Sequence, residues 1–465
     1  MQNNKSKMNA QPQPTLALLH WGDLIEDFLD TIGVSFEAFC NEMTGGWMFG
    51  YIDALKLAGV RTVLFCISAR VTEPQRYTHK PTGATICVLP APKIYQVVRR
   101  PMLNAYGCTV KDVFGDVGGV RRYWCAVLKE VVHHLATPLG LLARELRREG
   151  CQAILCQEYE YARFDVCVLL GKLMGLPVFA TFQGGDFQLS RLERPLRPLT
   201  LQACAGLIVA TQTEVQRVQS RYGVPSAKLA RIFNPMDVAN WHAMDRSEAR
   251  AALGISLDAQ VVVYHGRIEI HRKGLDILLD AWQQVLSERP GRNLRLLLVG
   301  TGSDAEKLRQ RLAQMQLPGV IWKDEYVRDR TTIRRYLSAA DVYTLPSRHE
   351  GFPVAPIEAM SCSLPVVAAD APGVPDILEG GEASGGLVVP HGDATALALA
   401  LGRVLDNETW ARELGKLARC RAEECFSLEA IGTSLRDFLI SSSQRRSTGT
   451  SLQNPLHFIF DRQSD

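Results

Sequence analysis

Two cations precede a predicted helix in the second half of the chain. The stretch GRIEIHRKGLD (266–276) follows the apolar run VVVYH and places Arg267 and Lys273 around a turn that leads into a helix near Gly274. Two cations beside a helix N-terminus suit a diphosphate, because unpaired backbone amides and the helix dipole attract anions there. Taken alone, this stretch is equally typical of a solvated charged loop.

Two carboxylates lie at a second turn between a predicted strand and a predicted helix. In SRHEGFPVAPIEAM (347–360), Glu350 lies in a loop and Glu358 on the helix that follows, with seven residues between them. Both carboxylates can then accept hydrogen bonds from one ligand, for which the vicinal hydroxyls of a sugar or a ribose are natural donors. Gly351 allows the backbone to approach that ligand closely. The apolar surroundings favour a binding role over a solvated helix face.

The elements that must position these residues form a repeated pattern of short apolar runs and helical stretches. Runs rich in Val, Ile and Leu are typical of parallel strands that helices cover on both faces. Ligands of such sheets bind beyond the carboxyl ends of the strands, which is where both motifs lie. The predicted strands are residues 15–21, 61–68, 151–157, 176–182 and 206–212 in the first half, and 260–266, 294–300, 320–324, 341–347 and 364–370 in the second.

The pattern divides the chain into two domains. The segment FNPMDVANWHAMD (233–245) interrupts the alternation with Asn-Pro and Asp, and we place the boundary there. The prediction is an α/β protein whose two Rossmann-like, doubly wound domains face each other across a cleft. The predicted ranges are a polar leader (1–14), a first domain (15–235), a second domain (236–440) whose last helices pack back on the first, and a polar tail (441–465).

Composition excludes several other classes of protein. The 465 residues include 52 Lys and Arg against 49 Asp and Glu, a net charge of +3, and 46% are hydrophobic, which argues against disorder and against a nucleic-acid-binding protein. No window approaches the roughly 18 consecutive apolar residues of a membrane span. The N-terminus lacks the pattern of a signal peptide, so we expect a cytoplasmic location. Residues 1–235 carry 26 basic and 19 acidic side chains, while the remainder carries 26 and 30.

The second half resembles a known family of enzymes. The stretch HGRIEIHRKGLDILLDA, together with LLLVGTGSD, the region around both glutamates and LVVPHGDATALA, is similar to the nucleotide-sugar domain of family 4 glycosyltransferases of the E-x7-E type. The resemblance covers nearly all of residues 260–407. It implies the GT-B fold and retaining transfer of a sugar, most simply a hexose, from a UDP-, GDP- or ADP-sugar to a hydroxyl of an acceptor that the sequence does not identify.

The resemblance also implies roles for particular residues, with Arg267, Lys273 and Glu350 as the catalytic set. The implied donor contacts are the diphosphate (Arg267, Lys273), the donor sugar (Glu350, Gly351, Phe352, Pro353), the ribose hydroxyls (Glu358) and the base (Gly302, Tyr326, Val327). Charge on the leaving diphosphate is met by fixed cations, and no Asp-x-Asp motif suggests a metal. We therefore expect no metal and no cofactor, and no enzymic nucleophile.

The first half resembles the acceptor domain of the same family more weakly. In TGGWMFGYIDAL, Gly45 and Gly46 match the glycine loop that approaches the donor phosphates. Where many members have a His that contacts the donor sugar, this chain reads FQGGD, with Gln183 at the His position. Gln can hydrogen bond a hydroxyl but cannot act as an acid or base.

The acceptor side leaves two interpretations open. Residues 93–148 are basic and contain aromatic side chains. This segment is either an amphipathic surface that docks on an anionic membrane, which would place the protein at its inner face, or a set of ordinary helices with solvated charges.

Two alternatives to sugar transfer also remain at this point. A sugar-nucleotide epimerase shares the GT-B architecture and binds its nucleotide similarly. A sugar-nucleotide-binding protein with weak catalysis is the second, and its only support is Gln183.

Overall fold

The structure is a computed structural model that describes residues 13–182, 192–327 and 329–449. Its first domain is built on eight strands in the order β3-β4-β2-β1-β5-β6-β7-β8, parallel except for the edge strand β3. The strands are β1 (Thr15–Leu19), β2 (Arg61–Ser68), β3 (Gln75–Thr78), β4 (Thr85–Pro90), β5 (Ala153–Gln157), β6 (Val178–Thr181), β7 (Gly206–Val209) and β8 (Leu229–Arg231).

Helices cover both faces of this sheet, because its central strands are buried along their whole length. They are α1 (Ile25–Ile32), α2 (Phe36–Asn41), α3 (Gly46–Leu57), α4 (Lys93–Arg99), α5 (Val110–Phe114), α6 (Gly119–Val131), α7 (Leu139–Arg148), α8 (Ala162–Met174), α9 (Glu193–Ala203) and α10 (Gln212–Tyr222). Two cores result, one on each face of the sheet.

The second domain repeats the design with six parallel strands in the order β11-β10-β9-β12-β13-β14. The strands are β9 (Gln260–His265), β10 (Leu294–Val299), β11 (Val320–Lys323), β12 (Val342–Leu345), β13 (Val366–Ala369) and β14 (Gly386–Val389). The helices are α11 (Arg246–Leu253), α12 (Leu275–Glu288), α13 (Ala305–Met315), α14 (Arg330–Ser338), α15 (Ala355–Ser361), α16 (Val374–Ile377), α17 (Ala394–Asp406), α18 (Glu408–Phe426) and α19 (Leu428–Gly449).

The predicted α/β architecture of two doubly wound domains is confirmed, and all ten predicted strands are present. Four strands were not predicted. β3 and β4 form an antiparallel hairpin, which the strand–helix alternation does not indicate. β8 is three half-buried residues at the sheet edge, and β14 is four residues beside β13, so neither has the long apolar run that marks the central strands.

Two features of the chain join the domains. The link between them pairs with the end of α18, where the Met236 amide donates to the Phe426 carbonyl at 2.8 Å. The last helix, α19, then packs against α3, with Ile431 and Leu435 in the core of the first domain. The approach is close, because a Cβ on Gly432 would lie 2.0 Å from the Ala54 carbonyl oxygen. Among the described helices, none has the length and apolar character to cross a bilayer.

Candidate active site

A cavity of about 640 Å³ lies between the domains, at the carboxyl ends of β9 and β10. The second domain supplies most of its wall and the first domain contributes Thr44. Ligands of such folds bind at the carboxyl ends of the strands and between domains. The lining residues are Thr44, Trp241, His265, Gly266, Arg267, Val299, Gly300, Thr301, Glu325, Tyr326, Val327, Asp329, Arg330, Ile333 and Glu358.

The turn between β9 and α12 is held by close packing and by a carboxylate. Gly274 has φ +64°, and a Cβ at this position would lie 1.9 Å from the Pro346 carbonyl oxygen, so only glycine fits. The Ile270 amide donates to Asp304 at 3.0 Å. Hydrogen bonds from Lys307 and then from Ile270 lower the pKa of Asp304, which keeps it an acceptor.

Lys273 and Glu350, two of the predicted catalytic residues, contact each other. The Lys273 ammonium donates to both Glu350 carboxylate oxygens, at 2.7 and 2.9 Å, although the residues are 77 positions apart. Their side chains are only 13% and 8% exposed. An ammonium has three N–H donors, so one remains for an incoming anion. Within the described part of the chain, neither residue lines the cavity.

The loop that carries Glu350 is anchored by a second ion pair. Arg348 donates to both carboxylate oxygens of Asp276, at 2.8 Å each, and so ties the loop to the first turn of α12. Burial alone would raise the pKa of Asp276, but the hydrogen bonds and charge of Arg348 lower it. This pair could not be predicted from the sequence, because nothing in either segment indicates which arginine meets which carboxylate.

Arg267, unlike Lys273, is exposed enough for its side chain to reorient towards a ligand. Its side chain is 60% exposed, lines the cavity and lies 3.1 Å from Glu269. An exposed ion pair of this kind contributes little stability, so the guanidinium can exchange Glu269 for a ligand at small cost.

Glu358, the second predicted glutamate, lies on the cavity wall beside a histidine. His265 Nε2 is 2.7 Å from Glu358 Oε2, and both side chains line the cavity. His265 is buried at the end of β9, with its ring edge-on to Tyr343. The other carboxylate oxygen of Glu358 has no hydrogen bond within the described residues and remains for a ligand.

The remaining predicted donor residues fall into two groups. Tyr326 and Val327 line the cavity, and Tyr326 is largely exposed. The others lie outside the cavity lining of the described chain. Gly302 packs on the backbone of Ile268, while Phe352 stacks on Phe233 with ring centroids 5.3 Å apart. Gly351 and Pro353 pack against Gly373, whose Cβ would lie 2.4 Å from the Gly351 carbonyl oxygen and 3.2 Å from Pro353 Cδ.

The glycine loop of the first domain reaches the second domain. Gly45 has φ +67° and caps α3, which begins at Gly46, and a Cβ on Gly45 would lie 3.6 Å from Arg330 Nη2. Gln183 lies outside the described residues, so its role stays a prediction.

Helix α14 and the link between the domains form a part of the cavity wall that was not predicted from the sequence. Arg330 donates to Asp237 at 3.1 Å and lies over the ring of Trp241. A signal was available, since α14 begins soon after β11 and a helix start after a parallel strand faces the ligand edge of the sheet.

A buried polar cluster fixes the chain that follows β1 in the first domain. The Asp23 carboxylate accepts hydrogen bonds from His133 Nδ1 at 2.7 Å and from the hydroxyls of Tyr95 and Tyr161 at 2.9 Å each. Burial would raise the pKa of Asp23, but the charge and hydrogen bond of His133 lower it. Burial has the opposite effect on His133 and would lower its pKa, but the charge and hydrogen bond of Asp23 raise it. The charges of Asp23 and His133 therefore pair with each other, and we assign this cluster a structural role.

Three metal-ligand types meet next to this cluster. Ligand atoms of His134, Asp165 and Glu193 lie within 4.8 Å of one another. The buried guanidinium of Arg197 lies 3.2 Å from Asp165 and 3.4 Å from Glu193, and this fixed cation already balances the two carboxylates. The group of His134, Asp165 and Glu193 therefore does not require a metal. The expectation of metal-free catalysis stays a prediction.

Two α/β domains built on mainly parallel sheets, with a cavity between them, define the GT-B class of fold. Solved structures agree in fold. HepE from Anabaena, solved in complex with UDP, matches with a TM-score of 0.63 at 17% identity, covering 92% of this chain and 100% of that chain. A sucrose-phosphate synthase from Thermosynechococcus elongatus matches with a TM-score of 0.59 at 20% identity, covering 93% and 100%.

Sequence comparisons assign the family. Residues 54–240 match the model described as Glycosyltransferase Family 4, and residues 259–407 the model described as Glycosyl transferases group 1. The chain belongs to glycosyltransferase family 4. A D-inositol 3-phosphate glycosyltransferase from Kineococcus radiotolerans is 30% identical over 237 residues, which are 48% of this chain and 54% of the relative.

A second relative matches to a similar extent. The lipopolysaccharide core biosynthesis mannosyltransferase LpsB from Rhizobium meliloti is 29% identical over 188 residues, which are 40% of this chain and 52% of the relative. The chain therefore matches about half the length of these curated relatives.

Proposed function

We propose that this protein is a retaining glycosyltransferase that moves a sugar from a nucleotide diphosphate sugar to a hydroxyl of its acceptor. The observation that carries the proposal is a set of charges on the segments that follow the neighbouring strands β9 and β12: Arg267 and Glu358 line the interdomain cavity, and Lys273 pairs with Glu350. Cations for a diphosphate and carboxylates for hydroxyls are the groups that such a donor requires. The UDP complex of HepE, a protein of the same fold, supports a nucleotide donor.

The proposed chemistry separates charge at the anomeric carbon. As its bond to the diphosphate breaks, the bonding electrons go to the phosphate oxygen and the sugar becomes oxocarbenium-like. Arg267, Lys273 and the amides at the start of α12 stabilise the departing charge. The acceptor hydroxyl attacks from the same face and its proton passes to the leaving phosphate, so neither a nucleophile nor Gln183 as a base is needed.

A thermal-shift screen of UDP-, GDP- and ADP-sugars tests the proposal, because a ligand that binds only the folded state raises Tm. We expect one nucleotide class to raise Tm and to release nucleoside diphosphate only when an acceptor is added, with no change after EDTA treatment. Conversion of the sugar without an acceptor would indicate an epimerase. Binding without turnover across a broad acceptor panel would indicate the non-catalytic alternative.

We further propose that helix α6 docks the first domain on an anionic membrane at its cytoplasmic face. Its Val120, Tyr123, Trp124 and Val127 form one helix face and are 76%, 66%, 60% and 38% exposed. Residues 93–148 carry ten Lys and Arg against four Asp and Glu, a net charge of +6. Exposed aromatic side chains beside basic ones suit the interface of a bilayer with anionic lipids.

Flotation with vesicles of phosphatidylcholine and phosphatidylglycerol tests this docking. Changing both Tyr123 and Trp124 to Glu should lower the bound fraction at least about tenfold, because burying each aromatic contributes roughly 1.5–3 kcal/mol. The control changes Leu169 and Leu173 of α8 to Glu, since these are 56% and 72% exposed but lie on another helix. Wild-type protein that floats at neither low nor high salt would refute the membrane proposal.

A further inference from the structure

On the cavity wall, Glu358 lies in contact with His265. His265 Nε2 lies 2.7 Å from Glu358 Oε2, across 93 positions of sequence. Because an ionised carboxylate has no hydrogen to donate, we assign the hydrogen of this contact to Nε2, which donates it to Glu358. The carboxylate is thereby held through one oxygen while the other stays available.

His265 itself has little freedom to move. It is 7% exposed, its ring packs edge-on to Tyr343 at 5.3 Å, and it ends the central strand β9. Its Nδ1 is buried without a hydrogen-bond partner among the described residues, so Glu358 is the only polar group of the described chain that orients the ring. Glu358, by contrast, lies on the seven-residue helix α15 with its side chain 21% exposed, so packing restrains its conformation less than that of His265.

We infer that His265 is a positioning residue that presents the Glu358 carboxylate to the ribose hydroxyls of the donor nucleotide. The inference rests on the proposed ribose-binding role of Glu358. Without the imidazole, the carboxylate loses its fixed orientation and the ribose hydroxyls lose an aligned acceptor, while the diphosphate contacts through Arg267 and Lys273 persist. His265 acts through Glu358 and takes no part in proton transfer.

The test measures binding of UDP, GDP and ADP by titration calorimetry and then compares the tightest-binding nucleotide with its 2′,3′-dideoxy counterpart. His265→Ala should weaken the ribonucleotide about tenfold, the scale of one hydrogen bond to a charged group. It should leave affinity for the dideoxy nucleotide, which has no ribose hydroxyls, unchanged. A merely structural role in shaping the cavity would weaken both nucleotides alike and would overturn the inference.

Two conservative variants and one control sharpen the result. His265→Gln places an amide N–H near the position of Nε2 and should restore most of the affinity, whereas the shorter His265→Asn should not. His391→Ala, an exposed histidine paired with Asp370, should bind both nucleotides like the wild type. If Glu358→Gln discriminates between the two nucleotides no differently from the wild type, the proposed ribose role fails. If Glu358→Gln changes the discrimination between the two nucleotides but the His265 variants match the wild type, this inference alone is wrong.

Discussion

Replacing Lys273 with alanine should lower sugar transfer about a thousandfold, because a fixed donor aimed at developing negative charge contributes on this scale. The structure adds a second consequence. Lys273 neutralises Glu350, whose side chain is only 8% exposed, so the variant leaves a carboxylate unpaired in a poorly hydrated place. Breaking such a pair should also reduce the free energy of unfolding, by about 3 kcal/mol.

The catalytic and structural effects of Lys273 can be separated with a second variant. Lys273→Met combined with Glu350→Gln removes both charges and should recover most of the lost stability, measured by urea unfolding, while transfer stays as low as in the single variant. Lys416→Ala is the matched control, because Lys416 is 70% exposed and pairs with the exposed Glu413 within α18. Transfer at the wild-type rate by Lys273→Ala would show that the diphosphate assignment is wrong.

Replacing Gly274 with alanine should reduce the free energy of unfolding by about 3 kcal/mol and abolish donor binding. Its φ of +64° costs an L residue about 1 kcal/mol, and overpacking typically costs roughly 1–3 kcal/mol more. The added Cβ would meet the Pro346 carbonyl oxygen at 1.9 Å, which is main chain and cannot move aside cheaply. The turn must then shift, and it carries both Lys273 and the start of α12.

Gly254 provides a matched control for this prediction. It ends α11 with φ +67°, nearly the value at Gly274, but a Cβ there would meet nothing within 4 Å. Gly254→Ala should therefore cost only about 1 kcal/mol, the conformational part alone, and should leave donor binding unchanged. Equal losses of stability in the two variants would mean that the close approach to Pro346 has no energetic weight.

Local sequence patterns were sufficient to predict ten of the fourteen strands in the described chain and the place of the motif residues. Each predicted strand is a short apolar run that only a sheet covered on both faces can bury. The turn of Arg267 and Lys273 and the loop of Glu350 each follow such a strand, so their place at the ligand edge of the sheet could be predicted. β3, β4, β8 and β14 were missed, because a hairpin and short edge strands interrupt or weaken the same pattern.

Contacts within the site could not be predicted in the same way. Lys273 meets Glu350, Arg348 meets Asp276 and His265 meets Glu358 because β12 lies beside β9 in the second sheet, which brings the loops after those strands together. Hydrophobic periodicity shows that strands exist but not which strands are neighbours. Arg330 and Trp241 were missed for a related reason, since they reach the cavity from α14 and from the interdomain link.

The sequence by itself therefore determined the class of fold, through local patterns of burial and charge, and the family, through the resemblance of its motifs. The same motifs predicted the chemical types of the proposed donor site. Only the tertiary structure decided the partners of those groups: that a buried glutamate neutralises Lys273 and that a histidine orients Glu358. Such pairings join residues 77 and 93 positions apart in the sequence, and the order of the strands in the sheet brings their loops together.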